Sequence, residues 1–447
     1  MPAPSPVLPH TADRDREGRL TVGGLALADL AARFGTPALI VDEESLRVRA
    51  REYLAAFRAR HPRTHVAFAS KAFPCSAIVR VVADEALWCD VASAGELAIA
   101  LAGGMPPERI LLHGNAKTDE DLRAALDTGV GTIVIDSADD VRRLRRIAPA
   151  HQRVLVRVNP AVPATTHASV STGDAGSKFG VPLAQAPALI AELEAVPGLD
   201  LAGLHVHIGS QLTDLAEFEA AVRAIAGLGR FPLYDLGGGL ALAYRAGDAV
   251  PTVDTYAEAI VGALHEHLDP AARLIVEPGR SLTGRSCVTL YEVVTVKRGV
   301  RTHVAVDGGM ADNLEPMLYD TAFEPAILDA DRPLERCELV GPHCESGDVL
   351  AGDIALAEPA VGDLVVVPAT GAYCYSLSNN YNGARRPPVV FVRDGEAVLA
   401  VRRERIADLL ARDCPPAVVT EPWRRSTPAP AAVAVGREQR RAGVVRA

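Results

Sequence analysis

The run Val66-Ala67-Phe68-Ala69-Ser70-Lys71 predicts a buried β-strand that ends in a lysine, because its first four residues are all apolar. Seven further runs of this kind follow, separated by helix-like stretches. The predicted strands are His65–Ala69, Leu87–Val91, Ile110–His113, Thr132–Ile135, Val154–Val158, Leu204–Ile208, Leu233–Leu236 and Leu274–Glu277. Eight strand–helix units over about 210 residues match a (β/α)8 barrel in number and size. The alternative, a doubly wound open sheet, usually has fewer strands.

The pattern changes after Arg280. Valine-rich runs separated by Gly, Pro and Asp turns predict a second, mostly β domain, with which Leu20–Leu25 is expected to pair. Both ends of the chain are rich in proline and charge and lack periodicity, which predicts disorder. The predicted divisions are a disordered N-terminus (1–18), a segment associating with the β domain (19–42), the barrel (43–284), the C-terminal β domain (285–425) and a disordered tail (426–447).

The composition excludes several classes of partner. A net charge of −10 argues against nucleic acid and anionic membranes. The sequence contains no apolar run long enough to span a membrane and no apolar signal core at its start, so we expect a cytoplasmic protein. Its seven scattered cysteines form no C-x-x-C pair, which predicts reduced thiols and no zinc site.

Polar residues at the C-terminal ends of barrel strands are catalytic or ligand-binding more often than structural. Those positions hold Lys71, Asp90, Asn115, Arg157, His207, Gly237-Gly238-Gly239 and Glu277-Pro278-Gly279-Arg280. Single members of this set are weak evidence, since a lone histidine is more often a satisfied core residue and three glycines can be a flexible turn. The whole set predicts a functional site at the mouth of the barrel.

The chemistry of these residues suggests a cofactor. Only four of the 46 basic residues are lysines, and an amine, unlike a guanidinium, can lose its proton and attack a carbonyl. The glycine triplet, with Arg280 and Ser210, predicts a phosphate site. An amine, a phosphate site and a carboxylate in one barrel mouth suggest pyridoxal 5′-phosphate, with Lys71 forming the Schiff base, Glu277 at the ring nitrogen and His207 stacked on the ring.

The second domain contains Gly341-Pro342-His343-Cys344-Glu345-Ser346-Gly347-Asp348. Its flanking carboxylates disfavour a thiolate, so Cys344 suits a proton donor better than a nucleophile. A β-turn with an incidental cysteine is the alternative. Tyr373, in Gly371-Ala372-Tyr373, can line the same pocket.

These motifs resemble the fold-type III pyridoxal-phosphate-dependent decarboxylases, and within that family most closely the diaminopimelate decarboxylases. The resemblance spans about Leu20 to Leu410 and includes Cys89-Asp90-Val91-Ala92-Ser93-Ala94-Gly95-Glu96-Leu97, His113-Gly114-Asn115-Ala116-Lys117 and His205-Val206-His207-Ile208-Gly209-Ser210-Gln211. It implies an alanine-racemase-type barrel, a homodimer with shared active sites, and conversion of meso-2,6-diaminopimelate to L-lysine and CO2. The implied cofactor-binding residues are Lys71, Asp90, Arg157, His207, Ser210, Gly237, Gly238, Gly239, Glu277, Pro278, Gly279, Arg280 and Tyr373. Cys344 would protonate the α-carbon from the partner subunit, and the implied substrate contacts are Arg280, Glu315, Tyr319, Glu345 and Tyr373.

One position departs from the family pattern. Glu315 stands where the family has an arginine that clamps a substrate carboxylate, and a glutamate should repel that group. A second hypothesis is therefore a decarboxylase of a basic amino acid or a tailored metabolite, unless an arginine such as Arg336 compensates. A racemase is disfavoured by Glu277, because racemases of this fold place an arginine at the ring nitrogen. An inactive homologue is disfavoured by the joint presence of Lys71, Glu277 and Cys344.

Overall fold

The computed structural model describes residues 5–162, 173 and 176–414 of the chain. The first elements are β1 (Asp13–Arg14), β2 (Leu20–Val22), β3 (Leu25–Ala26), α1 (Leu27–Phe34) and β4 (Ala38–Asp42). The disorder predicted for residues 1–18 is wrong for residues 5–18. Val7 and Leu8 are buried there, and β1 pairs with β2. Two apolar side chains in a polar stretch were enough to anchor it. The tail predicted at 426–447 lies outside the described residues.

Eight parallel strands form a closed barrel, each preceded or followed by a helix. The elements of this region are α2 (Glu43–Arg60), β5 (Thr64–Ala69), α3 (Ser76–Asp84), β6 (Trp88–Val91), α4 (Ala94–Ala102), β7 (Ile110–Leu112), α5 (Asp119–Thr128), β8 (Thr132–Ile135), α6 (Ala138–Ile147), β9 (Gln152–Asn159), β10 (Val181–Pro182), α7 (Ala186–Glu194), β11 (Leu199–His205), α8 (Ala216–Ile225), β12 (Leu233–Asp235), α9 (Val253–His267) and β13 (Arg273–Val276). The short β10 pairs with β9 and is not one of the eight barrel strands. The strand order β9-β11-β12-β13-β5-β6-β7-β8 closes through a pairing of β8 with β9. The barrel prediction is confirmed, and an open sheet is excluded by that closure.

The interior of the barrel is packed with small and branched apolar side chains, one from nearly every strand. They are Ala67, Leu111, Val134, Leu155, Ala202, Leu233 and Ile275. Neighbouring residues on the same strands, such as Val66 and Phe68, point outward into the larger core shared with the helices. Because the interior is filled, ligand chemistry is confined to the ends of the strands.

The C-terminal part is a mostly β domain, as the valine-rich runs predict. Its elements are α10 (Arg280–Thr283), β14 (Cys287–Arg298), β15 (Thr302–Val306), α11 (Glu315–Tyr319), β16 (Ala326–Ile327), β17 (Leu334–Val340), β18 (Val349–Ala357), β19 (Leu364–Val367), β20 (Val389–Arg393), β21 (Glu396–Val401) and α12 (Ile406–Leu409). The main sheet has the order β18-β17-β15-β14-β4-β20-β21. None of the helices among the described residues is long and apolar enough to cross a membrane.

The N-terminal segment reaches this sheet through a different strand from the one expected. The fully buried β4 lies between β14 and β20, antiparallel to the first and parallel to the second. The Leu20–Leu25 region instead pairs with β1 and β3 in a separate three-stranded sheet. It contacts the β domain by packing, with Leu20 and Val22 in one apolar cluster with Val390.

Candidate active site

Lys71 lies at the open end of the barrel, in a short 3-10 turn that follows β5. Its Nζ is 2.7 Å from Oδ2 of Asp90 in the neighbouring strand β6. Asp90 is buried, whereas 48% of the Lys71 side chain is exposed. Burial lowers the pKa of the Lys71 amine, but Asp90, Tyr373 and Glu277 outweigh it and raise that pKa. The amine is thus held as a cation beside Asp90 and stays accessible from the mouth.

Glu277 follows β13, the strand beside β5, and two histidines contact it. Nε2 of His113 lies 2.7 Å from its Oε1, and Nε2 of His205 lies 3.4 Å from its Oε2. All three side chains are buried. Burial raises the pKa of Glu277, but the two histidines outweigh it and lower that pKa. Glu277 is therefore an anion in a site closed to water.

Asp235, the last residue of β12, is a second buried carboxyl next to Glu277. Its ligand atom and those of Glu277, His113 and His205 all lie within 4.8 Å of one another. Burial and the charge of Glu277 raise the pKa of Asp235. Two adjacent carboxyl groups cannot both ionise at low cost, so Asp235 holds the proton and Glu277 carries the charge.

The three glycines after β12 form a turn that other residues could not make. Gly237 and Gly239 have φ angles of 64° and 121°, in the region that favours glycine. A Cβ on Gly238 would lie 2.1 Å from the carbonyl oxygen of Glu277. The N–H of Gly238 donates to Nδ1 of His207 at 3.2 Å, which fixes the ring beside the turn. The loop thus brings bare backbone to the mouth of the barrel.

Arg280 connects the glycine turn with the β domain. It follows Pro278 and Gly279, and its Nε donates to Oγ of Ser210 at 3.1 Å. The carbonyl oxygen of Pro278 accepts from the N–H of Ala69 at 3.1 Å, which ties this turn to the strand that carries Lys71. The guanidinium of Arg280 lies 4.6 Å from the ring centre of Tyr373. A cation, a hydroxyl and the glycine turn therefore converge in one place.

Tyr373 and Arg157 complete the rim. The N–H of Tyr373 donates to the carbonyl oxygen of Ala72 at 2.8 Å, and its φ of 60° is uncommon for a residue with a side chain. This strained residue of the β domain therefore sits directly against the lysine turn. Arg157, in β9, places its guanidinium 4.6 Å from the ring centre of Phe179.

Glu315, which was predicted to contact the substrate, lies buried beside Arg280. Its side chain is 0% exposed, and its Oε2 accepts from NH1 of Arg280 at 2.9 Å and from Oγ1 of Thr321 at 2.9 Å. The hydroxyl of Tyr244 accepts from NH1 of Arg280 and donates to Oε2 of Glu315 at 3.4 Å. Arg280 and Glu315 thus neutralise each other's charge. The suggested compensating residue, Arg336, is instead exposed and paired with Asp353.

Tyr319 and the cysteine loop differ in their relation to the mouth. Tyr319 is partly buried, and burial, Glu315 and Tyr373 raise its pKa, so it belongs to the Arg280 cluster. Cys344 and Glu345 are exposed, and the N–H of Cys344 donates to Oδ1 of Asn382 at 3.0 Å. Within the described residues of one chain, no hydrogen bond or ion pair joins this loop to Lys71, Glu277 or Arg280.

The sequence reasoning missed four members of the site, namely His113, His205, Asp235 and Tyr244. Three of them end barrel strands beside residues that were chosen, and a signal for them existed. His205 and His207 have the spacing that places both on one face of a strand, and Asp235 stands just before the glycine triplet. Nothing local marks Tyr244, because its contact with Arg280 depends on the packing of the two domains.

Comparison with known proteins assigns the family. Residues 44–284 match the family model described as the pyridoxal binding domain of pyridoxal-dependent decarboxylases. The chain is 48% identical to a diaminopimelate decarboxylase of Actinosynnema pretiosum subsp. auranticum, over 90% of this chain and 94% of that relative. The chain belongs to the pyridoxal-dependent decarboxylases.

Other members of this family agree with that assignment. A diaminopimelate decarboxylase of Mycobacterium tuberculosis is 41% identical over 91% of this chain and 97% of its own length. The crystal structure of M. jannaschii diaminopimelate decarboxylase in complex with L-lysine superposes with a TM-score of 0.85 at 31% identity, covering 91% of this chain and 98% of that one. As a member of the family, the chain is a pyridoxal-phosphate-dependent carboxy-lyase that acts on a small amino-acid substrate.

The residues at the mouth fit the cofactor of these decarboxylases. Oε1 of Glu277 is buried and has no hydrogen-bond partner in the described part of the chain, although His113 is close. Such an acceptor suits a ring N–H. The accessible amine of Lys71 suits a carbonyl, and the bare turn with Arg280 and Ser210 suits a phosphate.

Proposed function

We propose that the chain decarboxylates meso-2,6-diaminopimelate and releases L-lysine and CO2. The observation that supports this best is the combination, in one barrel mouth, of an accessible lysine amine and a buried glutamate with an unpartnered oxygen. The choice of substrate rests on relatives, among them the one with 48% identity whose name states that activity.

Different barrel residues are proposed to bind different parts of pyridoxal phosphate. Lys71 would hold the aldehyde end, Glu277 would accept from the ring nitrogen, and the glycine turn with Ser210 and Arg280 would hold the phosphate. Asp90, Arg157, His207 and Tyr373 line the rest of the cavity. When bound, the cofactor supplies an electron sink for the pair of electrons left by the departing carboxylate. Glu277, held as an anion, favours a protonated ring nitrogen and so strengthens that sink.

Cys344 is proposed to return a proton to the α-carbon, and Glu345 to contact the substrate, both in the site of a partner subunit. Their loop is exposed in the single chain and separate from the contacts of Lys71, which supports a homodimer with shared sites. A racemase is disfavoured because the residue proposed to accept from the ring nitrogen is Glu277 and not an arginine. The cytoplasmic location stays a prediction.

The second candidate is a decarboxylase of a basic amino acid, and the Arg280–Glu315 pair favours it. Arg280 is the one arginine among the predicted substrate contacts, and Glu315 neutralises it at 2.9 Å. A distal carboxylate on the substrate would therefore meet a compensated charge rather than two arginines. A distal ammonium would not be repelled by such a pair.

The deciding experiment compares CO2 release by the full chain from meso-diaminopimelate, L-lysine, L-ornithine and L-arginine. We expect the highest kcat/KM with meso-diaminopimelate. If that compound is inert while a basic amino acid reacts, the second candidate replaces the first. Racemisation without CO2 release would overturn both.

The variant Glu315→Gln sharpens the comparison, because it frees the charge of Arg280 and keeps an acceptor for it. For a substrate with a distal carboxylate, KM should fall; for one with a distal ammonium, KM should rise. Glu335→Gln is the matched control, since Glu335 pairs with Arg298 on the surface at 2.9 Å. It should change KM for neither substrate.

A further inference from the structure

We propose that His113 and His205 are positioning residues that hold the carboxylate of Glu277 from its two sides and aim its free lone pair at the ring nitrogen of the cofactor. This inference rests on the proposed role of Glu277. It does not depend on which amino acid is decarboxylated.

The geometry of the two histidines supports it. They come from different strands, His113 directly after β7 and His205 at the end of β11, and their rings meet edge to face at 4.9 Å and 69°. One approaches Oε1 of Glu277 at 2.7 Å and the other approaches Oε2 at 3.4 Å. The hydrogen bond of His205 to Oε2 and the close packing of His113 against Oε1 restrict rotation of the carboxylate, so its direction is set before the cofactor binds.

The free acceptor supports it as well. His113 is close to Oε1 but does not approach it with hydrogen-bond geometry, and Oε1 has no other partner among the described residues. An unpaired buried acceptor costs free energy, and a ligand donor at the barrel mouth would remove that cost for Oε1 of Glu277. In this family, the ligand of the barrel mouth offers one such donor, the ring N–H.

Asp235 completes the arrangement. Its Oδ1 accepts from the N–H of Gly237 at 3.0 Å, and its raised pKa makes it the neutral member of the two carboxyl groups. The negative charge therefore stays on Glu277, beside the two histidines, while Asp235 is neutral. The charged and titratable groups that interact with Glu277 or with its partners are Lys71, Asp90, His113, Arg157, His205, His207, Asp235 and Tyr256.

The same four side chains have the donor types and spacing of a metal site. The positive charges of Lys71 and Arg157, which both interact with Glu277, argue against a divalent cation there. We therefore assign the cluster to the cofactor ring, and metal binding becomes an outcome of the test.

The test measures the affinity of the full chain for pyridoxal phosphate and the pH dependence of the visible absorbance of the bound cofactor. His113→Leu and His205→Leu remove the contact and keep the volume. His205→Leu should weaken binding roughly 10- to 100-fold, as expected for the loss of a hydrogen bond to a charged group. His113→Leu should also weaken binding, because it removes the close contact with Oε1. The acid-side midpoint of the absorbance should move to higher pH, because Glu277 then protonates more easily. His113→Gln and His205→Gln keep an N–H near Nε2 and should restore most of the affinity.

A double-mutant cycle separates positioning from general damage. In a Glu277→Gln background, His113→Leu and His205→Leu should add little to the loss of affinity. His61→Leu is the matched control, because His61 is also buried in the barrel but contacts His265 and the carbonyl of Ala272. It should leave the affinity and the absorbance unchanged, even if it lowers stability.

The outcomes are distinguishable. If Glu277→Gln leaves the affinity and the absorbance unchanged, the proposed role of Glu277 fails. If Glu277→Gln has the expected effect but the leucine variants do not, or if their effect is undiminished in the Glu277→Gln background, only the inference on the histidines fails. One divalent metal ion per purified chain, lost in His113→Leu, would also overturn it.

Discussion

Glu277 and Glu315 are both buried glutamates near the barrel mouth, but their partners differ in kind. Glu277 is 6% exposed and contacts two histidines, beside a second carboxyl group. Glu315 is 0% exposed and contacts Arg280, with Thr321 and Tyr244 on the same oxygen. Glu277 directly follows β13, whereas Glu315 begins a short helix of the β domain.

The difference determines what each charge can do. An arginine is a permanent cation with rigid donors, so Arg280 neutralises the charge of Glu315 within the protein. Histidines are weaker partners that can be neutral, so they orient Glu277 without cancelling it. Burial alone therefore does not mark a catalytic carboxylate. The type of partner distinguishes the two, since each glutamate has one buried oxygen without a hydrogen-bond partner among the described residues.

The largest expected effect comes from breaking the Arg280–Glu315 pair. Glu315→Leu should lower the free energy of unfolding by about 3–5 kcal/mol, because the charge of Arg280 stays buried without its partner. Glu315→Gln, whose amide oxygen still accepts from Arg280, should cost less. Urea unfolding of the full chain, followed by circular dichroism, measures both. Two variants as stable as the unmodified chain would show that the pair contributes nothing to the fold.

A pH series sharpens the contrast, because His205, a partner of Glu277, titrates and Arg280 does not. Burial lowers the pKa of His205 from 6.5 to about 4. Between these values the unfolded chain binds more protons than the folded chain, so stability is present above about pH 6.5 and is lost as the pH falls toward 4. The loss should be on the order of 3 kcal/mol. Urea unfolding at several pH values measures it.

A second histidine with a lowered pKa lies at the other end of the barrel and should add to the same slope. His65 is stacked on Trp88 at 4.2 Å, and burial, helped by Arg273, also lowers its pKa to about 4. His205→Gln and His65→Gln should each reduce the slope, and the double variant should flatten it most. A slope unchanged in the double variant would assign the acid sensitivity to other groups.

The smallest expected effect comes from an ion pair of similar chemistry on the surface. Arg336 and Asp353 pair on β17 and β18 with both side chains mostly exposed. Arg336→Ala and Asp353→Ala should leave the urea midpoint unchanged, because exposed pairs contribute little. A loss as large as that of Glu315→Leu would contradict the view that burial gives these pairs their importance.

The sequence allowed the barrel and much of the site to be predicted because both follow from local regularities. The eight apolar runs recur with their helices, and residues at the ends of parallel strands must meet at one end of the barrel. Lys71, Asp90, Glu277 and the glycine turn were found in this way. The prediction took one position at each strand end and therefore missed His113, His205 and Asp235. Two positions of one strand or loop can face the same mouth.

The order of residues 5–18 was missed for a different reason. Their composition resembles that of a disordered segment, but the apolar cluster that receives Leu8, the pairing of β1 with β2 and hydrogen bonds from Thr11 to Asp42 order this segment. A local pattern cannot show a docking surface made by strands far away in the chain.

By itself, the sequence determined the fold, the family and the reactive groups at the strand ends, because these depend on periodicity and on residue type. The tertiary structure alone decided how charges are paired. It placed Glu315 against Arg280 and two histidines against Glu277, over separations of 35 residues in the first case and 72 in the case of His205. Electrostatic energy depends on distance and burial, and neither is defined until the chain has folded.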